Sequence, residues 1–245
     1  MESERPVIHV GVAGWSIPSA VAGAFGSAGS HLERYATRFS AVEINSSFYR
    51  PHRRATYERW AASVPDDFRF AVKLPRTITH ERRLCDCGDL LRRFADEIAG
   101  LGGKRGPVLV QLPPSLRFDH DVARAFFEEA GTVLGGPLVC EPRHASWFDG
   151  AADALLVELG FARVAADPAL VPGASLPGGW RRLAYFRLHG SPDIYRSDYS
   201  PAAIGQHAAT VRALVADGAD VWVIFDNTTL GKAPANALAL IDRLA

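Results

Sequence analysis

Ala41-Val42-Glu43-Ile44-Asn45-Ser46-Ser47 alternates apolar and polar side chains from Val42 to Asn45 and ends in polar residues. Side chains of a strand point to opposite faces in turn, so Val42 and Ile44 belong to one face and Glu43, Asn45 and Ser47 to the other. An apolar face seeks a covering helix, and helical periodicity follows at Arg54 to Ser63. The same unit recurs along the chain. Apolar runs stand at Val7 to Ala13, Ala41 to Ser47, Phe68 to Leu74, Pro107 to Leu112, Leu138 to Glu141, Ala162 to Asp167, Ala184 to His189 and Val221 to Phe225. Helical stretches fall at Leu32 to Arg38, Arg54 to Ser63, Asp89 to Leu101, Asp121 to Leu134, Ala151 to Leu159, Pro201 to Asp217 and Pro234 to Leu244. Strands alternating with helices predict a parallel sheet, and eight of them predict an α/β fold of the single TIM-like (β/α)8 barrel type.

The helix ends carry their own signals. Ser200 before Pro201 is an N-cap followed by a first-turn proline, and Gly102, Gly160 and Gly218 stand where helices should stop. The one lapse is Pro168 to Trp180, with three prolines, three glycines and no helical stripe, which predicts an irregular crossover after the sixth strand. No repeat, low-complexity tract or change of composition divides residues 1–245, so one domain is expected.

With 27 basic and 27 acidic side chains, the chain has no overall attraction to nucleic acid or anionic membrane. Three cysteines do not make a disulfide framework, and Met1 to Pro6 lacks an apolar signal core. A cytoplasmic protein with no membrane partner is expected.

Barrels of this type place their sites where the strands end, so the inward residues near those ends are the candidates. They are Glu43, Asn45 and Ser47 on the second strand, Arg69 and Lys73 on the third, and Gln111 on the fourth. The fifth gives Glu141 and Arg143, the sixth Asp167, and the seventh Arg187 and His189. Alternation does not say whether Asp226 or Asn227 faces inward on the eighth. Convergent ionisable groups on strand after strand are what a desolvated ligand or catalytic pocket needs. They are also what interior ion pairs would look like, Arg69 above all, since it lies deepest. His9, early in its strand, reads as a hydrogen-bonded core group.

Loops at the same end carry Trp15, Phe48, Tyr49, Arg50, His80, His144, Trp147, Tyr195 and Tyr199, which could stack on a ligand or anchor the loops. Cys85 and Cys87 have no second pair to complete a tetrahedral metal site, and Cys140 should face the helices.

Several blocks resemble a known family. Gly14-Trp15, Val42 to Tyr49, Lys73-Leu74-Pro75-Arg76 with Thr79-His80, Gln111-Leu112-Pro113-Pro114, Glu141-Pro142-Arg143-His144 with Ser146-Trp147, Arg187-Leu188-His189-Gly190, and Phe225-Asp226-Asn227-Thr228 with Asn236-Ala237-Leu238 are similar to the DUF72 (YecE-like) family. The resemblance runs from the first strand to the last helix. It implies a TIM-barrel-like fold and brings no established activity. Some members have a double asparagine where this chain has Asp226-Asn227, and Cys85 and Cys87 lie outside the family's blocks.

The expected function is that of a hydrolase-type enzyme acting on a phosphate-bearing or other anionic substrate. Glu43, Glu141 and His189 are the catalytic candidates. Trp15, Asn45, Tyr49, Lys73, His80, Gln111, Arg143, Trp147, Arg187, Asp226 and Asn227 are the substrate-binding candidates. The family's overall likeness to endonuclease IV-like barrels makes a nucleotide or nucleic-acid substrate an analogy, which the net charge does not indicate. No metal or cofactor is assigned, although the carboxylates with one histidine suit a single divalent cation better than a zinc cluster. Arg143 and Arg187 are expected to hold the anion unless Glu43 and Glu141 neutralise them internally. Two alternatives stay open: a sensor that binds a small anion without turnover, and glycoside hydrolysis by Glu43 and Glu141 with Trp15 and Trp147 stacked on the sugar.

Overall fold

The computed structural model describes residues 6–245, so the N-terminal stretch read for targeting signals lies, up to Arg5, outside the described residues. Among the described residues ten strands form: β1 Ile8–Val12, β2 Ala41–Ile44, β3 Arg69–Lys73, β4 Arg105–Gln111, β5 Leu138–Glu141, β6 Phe161–Arg163, β7 Ala165–Asp167, β8 Gly178–Gly179, β9 Leu183–Leu188 and β10 Asp220–Phe225. They pair in two sheets, β1-β10-β9-β7 and β2-β3-β4-β5-β6-β8. Every pairing is parallel except that of β6 with β8. Among the described residues the hydrogen bonds therefore show an α/β fold of two mixed or parallel sheets rather than the single closed ladder expected. The cause lies in the sixth run, which divides at Val164. Its first half pairs with β5 and its second half with β9, so no strand there carries both ladders. On the other side, one parallel bridge, Ala13 to Glu43, joins β1 to β2.

Among the described residues eight α-helices intervene: α1 His31–Tyr35, α2 Ser46–Tyr49, α3 Arg54–Ala62, α4 Gly88–Ile98, α5 His120–Leu134, α6 Gly150–Glu158, α7 Pro201–Ala216 and α8 Ala233–Leu244. The Ser200 hydroxyl caps α7 by accepting from the Ala203 N–H at 3.2 Å. After Asp167 the chain makes only a short helical turn, Pro172–Ser175, and the two-residue β8, as the crossover composition predicts. No described helix is long and apolar enough to cross a membrane.

Alternation decides the packing. Val42, Ile44, Val108, Val110, Leu138, Cys140, Phe186 and Leu188 lie in a large core shared with the helices. Ala41, Ala71, Leu109, Val139, Ala162, Tyr185, Trp222 and Ile224, drawn from both sheets, form a second core. A one-residue slip of any strand would exchange these sets and drive its ionisable side chains into the helix-facing core. An unpaired charge there costs several kcal/mol, in the range of about 3–5 kcal/mol for a broken buried pair, so the register is held firmly.

Candidate functional site

The second core gives way to charge toward the strand C-termini. β9 presents Tyr185 and Arg187 at spacing two, and His189 continues the series. From the opposite sheet β2 presents Glu43 and β5 presents Glu141, while Asp226 follows β10. Glu43 and Glu141 are 0% exposed, Arg187 and His189 1%. Arg187 is the hub. Its Nε and Nη2 donate to both oxygens of Glu43 at 3.0 and 2.7 Å. Nη1 donates to Glu141 Oε2 at 2.8 Å and Nη2 to Asp226 Oδ2 at 2.9 Å. The Tyr185 hydroxyl donates to Glu43 Oε2 at 2.8 Å. The groups thus converge as expected from alternation, but as a packed ion network rather than around a cavity.

His189 is held between two carboxylates. Nδ1 lies 3.0 Å from Asp226 Oδ2, and Nε2 lies 3.2 Å from Glu141 Oε1 and 3.0 Å from Arg143 Nη2. With its proton on Nδ1 the ring donates to Asp226 and accepts from Arg143; doubly protonated, it donates to both carboxylates. Arg143 Nε also donates to Glu141 Oε1, at 2.7 Å. Burial pushes the Glu141 carboxyl up, but Arg143, Arg187 and the His189 hydrogen bond outweigh burial and hold it well below the usual range. Asp226 is lowered in the same way, against burial, by Arg187, His189 and Lys73.

Lys73 ends β3 at the edge of this network, 7% exposed, with Nζ 4.1 Å from the centre of the Phe48 ring. Among the described residues no carboxylate lies within 4 Å of its ammonium, and no acceptor hydrogen-bonds to it. Burial first, then the Arg187 charge, lower its pKa to about 8. His80 packs edge-on against Phe48 at 5.0 Å, and burial followed by Lys73, Arg76 and Arg143 lowers its pKa. Beside them a cleft of about 260 Å³ opens, lined in part by Phe48, the 73% exposed Tyr49, Arg50 and Arg76.

Other candidates sit elsewhere. β2 stops at Ile44 because Ser46–Tyr49 coils into α2, so Asn45 and Ser47 leave the strand alternation. Asn45 Oδ1 is buried without a hydrogen-bond partner among the described residues. Ser47 donates to the Lys73 carbonyl at 2.6 Å, tying α2 to β3. Gln111 is half-buried at the end of β4, in register with Glu141. Trp147 is 1% exposed, donates Nε1–H to the Leu116 carbonyl at 2.9 Å and packs on Phe118 and Phe127, so it belongs to the helix-facing core. Trp15 packs edge-on against Trp60, at 5.1 Å. His144 caps the turn at Ala145–Phe148 by accepting from the Ser146 N–H. Asp167 accepts from the Tyr199 hydroxyl at 2.6 Å. Asp226, not Asn227, faces the network. Asn227 instead donates to the Ser197 carbonyl and Asn236 Oδ1, bracing the loop after β9. Among the described residues Arg69 joins no ion pair; it caps the Asp66 and Phe68 carbonyls at the N-terminal end of β3. Tyr185 was missed in the sequence although it shares spacing two with Arg187 and His189, because tyrosine also reads as core.

Cys140 is buried in the helix-facing core as expected, Cys87 is buried and Cys85 exposed. Among the described residues no group of three or more His, Cys, Asp or Glu side chains is arranged to hold a metal ion.

The family described as "Protein of unknown function DUF72" matches residues 9–245. UPF0759 protein YecE of Escherichia coli (strain K12) is 36% identical over 107 residues, which cover 44% of this chain and 38% of that protein. UPF0759 protein YunF of Bacillus subtilis (strain 168) is 26% identical over 149 residues, covering 58% of this chain and 52% of its own. The matches thus span from under two fifths to about half of these relatives' lengths. Among solved structures, a DUF72 family protein from Enterococcus faecalis V583 superposes with TM-score 0.82 at 22% identity, covering 97% of this chain and 95% of its own. Another from Thermotoga maritima MSB8 gives 0.80 at 23%, covering 97% and 99%. At these identities the likeness speaks for the fold.

Proposed function

Because the chain belongs to the DUF72 family, whose description assigns no activity, the reaction has to come from the site itself, and we propose a hydrolase-type enzyme for a small phosphate-bearing or otherwise anionic substrate. In this reading the two sheets are the facing halves of one TIM-like barrel, and the substrate meets the strand C-termini at Lys73 and Arg143. The observation that carries it is the unequal use of three cations. Arg187 is saturated by three carboxylates, whereas Lys73 has none within reach and the Arg143 side chain keeps 21% of its surface open. A cation kept out of water with carboxylates near it but none in contact is stabilised further by an external anion that reaches it directly.

His189, backed by Asp226, takes the proton-transfer role, since its Nε2 is bonded to the same Arg143 that meets the substrate. Glu43 and Glu141 act as its frame. Neither carboxylate is free for acid–base work: Glu141 is held ionised, and the oxygens of both are occupied by Arg187, Arg143 or Tyr185. The glycoside reading needs a protonated carboxyl in this pair and weakens for the same reason. Arg187 likewise moves from ligand contact to scaffold.

The test uses phosphate monoesters such as p-nitrophenyl phosphate, with inorganic phosphate as the binding probe. Phosphate should raise the melting temperature in a concentration-dependent way, and Arg143→Ala should weaken that binding at least tenfold. His189→Gln should abolish ester turnover while phosphate still binds. Binding without turnover in the unaltered chain would assign a non-catalytic anion sensor instead. Binding indifferent to Arg143→Ala would remove the proposal altogether.

A further inference from the structure

The opposite end of the strands carries a second concentration of positive charge, and among the described residues it is not paired there. Arg69 at the start of β3, Arg105 at the start of β4 and Arg182 just before β9 line a cavity of about 550 Å³. That is about twice the volume of the cleft lined by Phe48, Tyr49 and Arg76 and falls within the roughly 300–1,000 Å³ of small-molecule sites. Among the described residues none of the three guanidiniums comes within 4 Å of a carboxylate. Arg69 donates to the Asp66 and Phe68 carbonyls, and Arg105 to those of Leu134 and Gly135 at 2.6 and 2.9 Å. Carbonyls satisfy N–H groups without cancelling the charge. Burial lowers the Arg105 pKa from its usual value, which marks the cost of keeping that cation out of water.

The lining adds one carboxylate, Asp220, whose Oδ1 accepts from the Val7 N–H. His9 adds no charge near neutral pH, because burial first and then Arg69 bring its pKa down to about 4. Among the described residues three positive charges thus face one negative. The contrast with the other end is direct, for there three carboxylates meet Arg187 at 2.7 to 2.9 Å. Were the arginines at this end serving stability alone, pairing would lower their energy.

The remaining wall is aromatic. Trp222 is 3% exposed, with His9 at 4.4 Å on one side and Tyr185 stacked at 6.0 Å. Gly106 lets it fit, since a Cβ there would lie 2.6 Å from the indole. Trp180 is only half-buried and offers its surface to the cavity. We infer that this cavity is a second binding site, for a small organic phosphate whose anionic group meets Arg69, Arg105 and Arg182 and whose planar body lies against Trp180.

The probe is adenosine 5′-monophosphate, titrated calorimetrically into the full chain, with adenosine and inorganic phosphate as its separate halves. The expected result is saturable binding at least tenfold tighter than that of either half. Arg182→Glu, at an exposed position that leaves the core intact, should weaken it tenfold or more, and Trp180→Ala should remove the advantage over inorganic phosphate. Arg143→Ala should leave this binding unchanged, which separates it from the site at the other end. The inference is overturned if the nucleotide gives no saturable heat, if Arg182→Glu binds as well as the unaltered chain, or if Arg143→Ala abolishes binding.

Discussion

At the scale of single residues, function and stability pull Lys73 in opposite directions. Its pKa is lowered to about 8 by burial and then by Arg187, so the folded state holds the ammonium less willingly than water does. A base whose folded pKa lies below its unfolded value of about 10.4 destabilises the fold throughout the range below pH 8. The penalty is relieved as pH rises from about 8 to about 10.5. Lys73→Met keeps the apolar stem against Phe48 and removes the charge. It should therefore stabilise the chain at pH 7, by up to about 2–3 kcal/mol, while weakening phosphate binding. Urea denaturation at pH 7 checks the first part and calorimetry the second. A loss of stability would mean that Lys73 already has a counter-charge the geometry does not give it. Arg187 behaves oppositely, since its removal would strand three buried carboxylates at once.

Among the elements, those with strong local signals were legible and those that depend on a neighbour were not. The charged end of β9 is legible, because Arg187 and, just beyond the strand, His189 follow one spacing and the apolar Phe186 and Leu188 the other. β2 was read too long. Asn45 and Ser47 keep the alternation in sequence, but Ser47 finds the Lys73 carbonyl of the next strand, and that contact is invisible in a single run. The sixth run failed similarly, since only its two neighbours reveal that Val164 separates β6 from β7. Trp147 was offered as a stacking group because loop aromatics at this end can serve either purpose, and its Leu116 bond decides for packing. Helix stops were legible because glycine is required by backbone geometry: Gly218, with φ +89°, ends α7 in a conformation that side chains with a Cβ disfavour. No other atom would obstruct a Cβ there within 4 Å. Gly218→Ala should accordingly cost about 1 kcal/mol through backbone strain alone, and a thermal melt should show a small drop with activity untouched. A drop several times larger would point to a contact beyond the turn.

For the whole molecule, burial of neutral imidazole at one end and of ionised carboxylates at the other sets the response to acid. His9 is held neutral in the fold, with a pKa near 4, by burial and by Arg69, against a weaker pull from Asp220. Unfolding raises it toward about 6.5, so between these values the unfolded chain binds more protons and stability falls as pH falls. Its share is on the order of 2–3 kcal/mol, fully present above about pH 6.5 and lost by about pH 4. Glu141 and Asp226 act in a lower window. Their folded pKa values lie below the unfolded ones, so their contribution is present above about pH 4.5 and disappears as pH drops through the folded values. Denaturation midpoints measured from pH 8 to pH 3 should therefore decline in two stages. His9→Gln should shrink the upper stage and leave the lower one, because Gln carries no proton to gain; the remainder of the upper stage belongs to His52, His80 and His207, whose pKa values burial also lowers. A phosphate bound among Arg69, Arg105 and Arg182 would offset the positive field on His9 and raise its folded pKa. Saturating adenosine 5′-monophosphate should then shrink the upper stage and make it end at a higher pH, only in chains that retain Arg182. A single decline confined below pH 4.5, the same in both His9 forms, would show that the histidine does not carry this proton.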